Sequence, residues 1–269
     1  MARYPSTRPG NGAGGGDEGM VDVRQLVEYC DRRLEAARFD DYCPNGLQVD
    51  AGEPVSRICT GVTASLALVE QAAAAGAQAL LVHHGYFWRG EPAPLTGMKG
   101  RRIRALFAHG LSLIAYHLPL DAHPDLGNNR RLGACLDIDE AGPVEGFDGL
   151  LWRGRLAVPV SPGEWGQAIA GALGRAPLHL PGGPALIRDV AWCTGAAQGQ
   201  IERAADLGCD AFLSGEVSEH TTHVARERGI HFFAAGHHAT ERLGVRALGE
   251  EVARVFGIEH RFIDVDNPV

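Results

Sequence analysis

Residues 57–88, RICTGVTASLALVEQAAAAGAQALLVHHGYFW, decide the fold class. A β-rich run around Ile58 gives way to an Ala/Leu-rich stretch from Ser65 to Ala75, and that stretch to Ala79–Val82, an apolar run ending at His83 and His84. A short apolar run, a helical run and a second short apolar run in this order are the grammar of a βαβ unit with parallel strands. Adjacent residues of a strand point to opposite faces, so both imidazoles can serve one site only if the strand stops at them, a break that Gly85 permits. Ligands of open α/β sheets gather beyond the carboxyl ends of strands, where this pair stands.

Towards the N-terminus lies the loop DDYCPNGLQVD (residues 40–50) and, before it, a helical repeat of Val23, Leu26, Val27, Cys30 and Leu34. Asp22 and Gln25 have capping-box spacing, so the first helix starts near Val23. Residues 1–20 are rich in Gly, Pro, Arg and Ser, with too few apolar side chains to offset ordering entropy, and read as a disordered leader. Gly10, Gly12 and Gly15 match GxGxxG, but no strand precedes them and no helix opens there, so they do not signal a dinucleotide site. Towards the C-terminus the alternation continues: a helix over Arg102–His109, a strand over Ser112–Tyr116, then a long loop, HLPLDAHPDLGNN (117–129). The Gly/Pro-rich stretch Gly142–Gly183 holds a helix over Pro162–Leu173 and is the middle of the fold, not an independent domain. Strands at Val190–Cys193, Ala211–Leu213, His231–Ala235 and Glu259–Val265 alternate with helices at Gln198–Leu207, Val217–Arg228 and His238–Phe256. The expected architecture is α/β, as two interlocked lobes with mostly parallel or mixed sheets and a metal site at strand C-terminal ends between them. Lobe one covers about 21–140 plus the C-terminal part, and a middle lobe about 141–210, within one unit, 21–269.

Composition excludes several functions. A chain of 269 residues buries roughly three quarters of its unfolded surface, so it needs neither metal nor disulfides for stability. Hydrophobic residues make up 45% and no apolar run reaches the ~20 residues of a membrane span, which points to a cytoplasmic protein without a membrane partner. The cysteines, Cys30, Cys43, Cys59, Cys135, Cys193 and Cys209, lack CxxC spacing and read as buried, reduced thiols. A net charge of −8 argues against nucleic acid as a partner. Lys99 is the only lysine, and its context, GMKGRR, is not a phosphate loop. No GxSxG signals a nucleophilic serine.

Three segments that each follow a strand carry metal-ligand chemistry. LLVHHGYFW offers His83 and His84. FFAAGHHATER (232–242) places His237 and Glu241 four apart at the start of a helix, on one face, with His238 turned elsewhere to cap the helix or meet substrate. An exposed i,i+4 pair would look the same in isolation. YHLPLDAHPDLGNN (116–129) offers Asp121 between His117 and His123. Parallel strands bring such loops to one edge of a sheet, and three imidazoles with two carboxylates exceed the three protein ligands of a catalytic zinc, so two metals fit the inventory better. A rival cluster, GEVSEHTTH, with Glu216, Glu219, His220 and His223, draws on a single segment; Glu216 and His220 suit groups that orient ligands.

Taken together, DYCPNGLQV, LLVHHGYFW, YHLPLDAHPDLGNN, LSGEVSEHTTH and AAGHHATER resemble the GTP cyclohydrolase 1 type 2 homologues, also called Nif-three-like proteins, over about residues 21 to 268. The resemblance implies a two-lobed α/β protein with a dinuclear centre ligated by His83, His84, Asp121, His237 and Glu241, with Glu241 bridging. It also implies a ring-shaped, toroidal homohexamer. Some relatives insert a large domain between the lobes, for which this chain is too short.

On that expectation the cofactors are two divalent ions, Zn, Fe or Mn, which make hydroxide at neutral pH to attack an electrophilic carbon, for GTP the C8 of its ring. His117 or His123 would pass a proton, and Arg242, Arg130 or backbone amides would hold phosphates of a nucleotide substrate. The same metals would equally suit a phosphoester or another ring amide, and a metal-loaded regulatory protein without turnover is the non-enzyme reading.

Overall fold

The computed structural model describes residues 19–269, so all but the end of the leader expected over 1–20, and its Gly10, Gly12 and Gly15, lie outside the described residues. In chain order the elements are α1 (Val23–Arg33), β1 (Gly46–Val49), β2 (Arg57–Thr63), α2 (Leu66–Ala74), β3 (Ala79–His84), α3 (Gly97–Ala108), β4 (Ser112–Ala115), α4 (Leu118–Ala122) and α5 (Asn128–Cys135). There follow β5 (Asp139–Pro143), β6 (Trp152–Val160), α6 (Pro162–Leu173), β7 (Leu178–Leu180), β8 (Ile187–Cys193), α7 (Ile201–Asp206), β9 (Ala211–Ser214), α8 (Thr221–Arg228), β10 (His231–Ala234), α9 (His237–Phe256) and β11 (Glu259–Phe262).

Residues 57–84 form the expected βαβ unit, with Thr60 opposite Leu81 in a parallel pairing of β2 and β3. The first sheet has the order β1-β4-β3-β2-β11, parallel except for the antiparallel edge β1. Its strands are apolar on both sides because helices cover both: Leu81 and Ile114 face α1 and α9 through Leu26, Val245 and Leu248, while Leu80 and Val82 face α2 and α3 through Leu68 and Leu106. Asp22 caps α1 in the predicted box with Gln25.

The second sheet has the order β5-β6-β8-β9-β10-β7, with β8, β9 and β10 parallel at its centre and antiparallel strands outside them. It is a mixed α/β fold of two sheets, as expected. A limit near residue 210 for the middle lobe would cut this sheet, because β9 and β10 pair with β8 beyond it. The interlocking is physical: α9 starts at the carboxyl end of β10 in the second sheet and packs on the first, and β11 joins β2.

Three stretches differ from the sequence reading. The loop 40–50 ends in β1. The stretch 117–129 is largely two short helices, α4 with Pro119 in its first turn, where a missing N–H costs nothing, and the start of α5. The Gly/Pro-rich middle contains β6 and β7 as well as the predicted α6; both strands are largely solvent-facing and so lack the apolar runs that announce a buried strand. Cys135 is exposed and Cys193 half-buried, whereas the other four thiols are buried. Among the described residues no helix is long and apolar enough to cross a membrane.

Candidate metal centre

The carboxyl ends of β3 and β4 in the first sheet face those of β8 and β10 in the second, and the side chains that carry chemistry meet there. Strand β3 stops at His84 because Gly85 turns away; a Cβ at Gly85 would sit 2.2 Å from Gln48 Oε1 and 2.7 Å from Ala115 Cβ, so no larger residue fits. His83 is fully buried and its Nδ1 donates to the Tyr116 carbonyl at 2.9 Å. A carbonyl only accepts, so Nδ1 keeps a proton, and Nε2 is the nitrogen that offers a lone pair once the ring is neutral. His84 Nδ1 is engaged by Thr63 Oγ1 at 3.1 Å.

Asp121 comes from α4, and His237 and Glu241 from the first turns of α9, where i,i+4 spacing puts them on one face. His83 Nε2 lies 3.5 Å from Asp121 Oδ1 and 3.6 Å from Glu241 Oε1. The other oxygen, Glu241 Oε2, lies 3.2 Å from His84 Nε2 and 3.1 Å from His237 Nε2. Two groups result, His83–Asp121–Glu241 and His84–His237–Glu241, each with its ligand atoms within 4.8 Å of one another and both containing Glu241.

These donors suit a divalent cation better than they suit each other. Among the described residues His83 Nε2 and Glu241 Oε2 are buried without a hydrogen-bond partner, although ring nitrogens stand within ion-pair distance of the oxygen. Buried polar atoms left so are rare and costly. Burial opposes charge on His83, but Asp121 and Glu241 outweigh it and lift the ring to about 9. Burial likewise opposes charge on His237, which Glu241 and Glu216 raise to about 9. Burial and the neighbouring His83 push His84 down to about 3. Glu241 is drawn well below the usual carboxylate range, against its burial, by His83 and His237, while Asp121 is raised by burial despite His83. Two carboxylates thus compete for positive charge in a dry site, the condition that a bound cation relieves.

Glycine and asparagine complete the frame. Gly195 has φ +67°, and a Cβ there would stand 2.2 Å from Glu241 Oε1, so the β8 turn closes on the carboxylate only as glycine. Asn128 Nδ2 donates to Asp121 Oδ1 at 2.8 Å, and Asn128 Oδ1 accepts from Gly244 N of α9 at 2.8 Å. Asn129 Oδ1 accepts from Thr194 N at 3.0 Å, its carbonyl accepts from Trp192 Nε1 at 2.9 Å, and its amide reaches the Asp121 carbonyl at 3.3 Å. The sequence reading missed these residues, although the GNN that ends the histidine-rich stretch was in view.

The remaining candidates separate. His117 lies over the cluster, its ring centroid 5.0 Å from that of His83 and 5.7 Å from that of His84. His123 does not: its Nδ1 accepts from Asp125 N and Leu126 N, and its Nε2 is occupied by Arg33. Two residues beyond Asp121, past the end of α4, it points away from the cluster. Arg242 and His238 also point elsewhere, onto Asp264 at 2.8 Å each, with Arg242 Nη2 on the Leu173 carbonyl at 2.6 Å. One step along a helix from Glu241 turns a side chain by about 100°. Arg130, half-buried on α5, does not line the cavity at the cluster. Of the rival segment, Glu216 bonds His237 Nδ1 at 2.7 Å, while His223 pairs with Glu219 in solvent.

Beside the cluster opens a cavity of about 510 Å³ lined by Tyr42, His117, Phe147, Gln200, His237 and Glu241 among others. A concave, mostly apolar space with a few convergent polar groups is the usual form of a small-molecule site.

Residues 21–268 match the family model Duf34/NIF3 (NGG1p interacting factor 3). A protein of Allochromatium vinosum named GTP cyclohydrolase 1 type 2 homolog is 56% identical over 249 residues, 93% of this chain and 98% of its own. One of the same name from Pseudomonas aeruginosa is 53% identical over 250 residues, covering 92% and 99%. A solved structure described as protein ybgI, of unknown function, superposes with a TM-score of 0.89 at 48% identity, over 93% of this chain and all of that one.

Proposed function

The chain belongs to the Duf34/NIF3 family, and we propose that it holds two divalent metal ions and uses them to hydrolyse a small molecule. The observation that carries this reading is the shared carboxylate: His83 with Asp121, and His84 with His237, form two donor groups that both include Glu241. His83, Asp121 and one Glu241 oxygen would hold one ion, and His84, His237 and the other oxygen the second. Divalent ions there supply Lewis acidity and make water a nucleophile at neutral pH. The residues of the chain do the rest. The two carboxylates balance charge, burial of His83 and Glu241 keeps bulk water out, and Tyr42 and Phe147 bound the space in which a substrate lies.

The name shared by the relatives suggests a purine nucleotide whose ring is opened by water. A second reading keeps the metals and takes another ring amide as the substrate; it is supported by Arg242, which is committed to Asp264 and the Leu173 carbonyl and so does not hold phosphates at the cavity. Assembly as a ring-shaped homohexamer in the cytoplasm belongs to the same proposal, and light scattering showing a monomer would count against that part.

The test is metal content per chain by mass spectrometry on protein purified without added metal, wild type against Glu241→Ala. Two ions that fall sharply in the variant support the centre and justify a turnover screen of GTP, guanosine, cyclic amides and phosphoesters. No bound metal in the wild type, even after reconstitution with Zn, Fe and Mn, overturns it.

A further inference from the structure

We propose that His117 is a further metal ligand of this centre, locked in the ligating tautomer by Asp41. The inference rests on the metal reading above and extends it to two residues which that reading leaves without a metal-binding role.

The local pattern repeats one that the centre already uses. His237 opens α9 just after β10 and lies four residues before Glu241; His117 stands before α4 just after β4, four residues before Asp121. Each helix therefore presents His-x-x-x-carboxylate to the same space. The support behind the two rings also matches. Glu216 Oε1 holds His237 Nδ1 at 2.7 Å, and Asp41 Oδ1 holds His117 Nδ1 at 2.7 Å. A carboxylate behind Nδ1 is the usual second partner of a metal-bound imidazole, because it fixes the tautomer and raises the basicity of Nε2.

Asp41 is built for that part. Its side chain is 2% exposed; Oδ2 accepts from Asn45 Nδ2 at 3.0 Å and from Leu118 N at 2.9 Å, and Oδ1 accepts from Tyr42 N at 2.6 Å. Asn45 Oδ1 also accepts from His117 N at 2.8 Å, so the 41–45 loop grips both ends of the residue. An ionised carboxylate with these donors can only accept, so His117 carries its proton on Nδ1 and leaves Nε2 with a lone pair.

The ring has partners to join. One ring nitrogen each of His83, His84 and His117 lies within 4.8 Å of the others, and Asp41 holds the Nδ1 of His117. His83 and His84 also have their Nδ1 atoms engaged, by the Tyr116 carbonyl and Thr63 Oγ1, so the nitrogen each ring has free for a cation is Nε2. Trp88 meets the His117 ring edge-on, centroids 5.1 Å apart, and limits its rotation. This assigns His117 the part of a ligand in place of the proton carrier suggested by sequence.

Cobalt(II) loaded into the full-length protein reads coordination directly. His117→Ala should change the visible absorption of bound cobalt and weaken its affinity by 100-fold or more, and exogenous imidazole should restore the spectrum. Asp41→Asn, which reaches the metal through His117 and not as a ligand, should weaken affinity by about 10- to 100-fold and alter the same bands. If His117→Ala does not fold, Asp41→Asn carries the same test. A folded His117→Ala with unchanged spectrum and affinity, while His237→Ala loses both, overturns the proposal and leaves His117 as a proton carrier. Wild type that binds no cobalt would instead overturn the metal reading itself.

Discussion

The two corners that present His-x-x-x-carboxylate, β4–α4 and β10–α9, use the same side-chain logic with unequal support. Behind His117 stands Asp41, 2% exposed and tied by backbone and side-chain donors; behind His237 stands Glu216, 35% exposed, from the segment that leads to α8. The helices differ as well, α4 having 5 residues and α9 having 20. A long helix fixes its first turn by its own packing, whereas a single turn is marginal alone and needs outside anchors. The short corner accordingly carries the buried carboxylate and the Asn128–Asn129 frame, and the long one can leave its orienting carboxylate in partial contact with water.

The shared carboxylate offers the largest break in this symmetry. Glu241→Ala should abolish binding of both ions, whereas Asp121→Ala should remove one and retain the other, measured as metal per chain after dialysis. Equal losses in the two variants would mean that the corners do not hold separate ions. Next comes Gly195→Ala. The added methyl collides with the Glu241 carboxylate, and the left-handed backbone costs about 1 kcal/mol, so metal affinity should fall at least tenfold while the melting temperature drops by only a few degrees.

The unequal support predicts unequal sensitivity. Asp41→Asn should weaken metal binding by about 10- to 100-fold and Glu216→Gln by less, in paired competition titrations with a chelating dye. The reverse order would show that burial of the orienting carboxylate does not matter. The smallest effect is on stability. Because the Asp41 carboxyl is held at about 2 in the fold, it stabilises the native state above the ordinary Asp value near 4, and that contribution is lost as pH falls from about 4 to 2. Metal-free wild type should therefore exceed Asp41→Asn by about 2 kcal/mol in urea unfolding at neutral pH, with the gap closing at about pH 2.

Much of this was legible because it obeys local rules. Strand β3 and its terminal histidines follow from an apolar run that stops at glycine, and the His237–Glu241 pair follows from helical spacing. The orienting residue Asp41 was not legible, since 76 positions separate it from His117 and nothing in DDYCPNG says which strand end the loop folds onto. His123 looked equivalent to His117 while residues 117–129 read as a loop. Once Leu118–Ala122 is a helical turn, the i,i+4 partner of Asp121 is His117, and His123 falls beyond its end and turns to Arg33. Strands β6 and β7 escaped notice because a solvent-facing antiparallel strand needs few apolar residues.

Asn128 and Asn129 join α4, α9 and β8 at one buried point, so the two sheets meet as a stapled seam and not as a hinge. Opening the lobes to admit a ligand would strip several hydrogen bonds from water-free groups at once. Traffic then passes through the mouth of the cavity beside Tyr42 and Phe147, which Asp121, His237 and Glu241 also line, so an ion would come and go by that mouth with the lobes kept together.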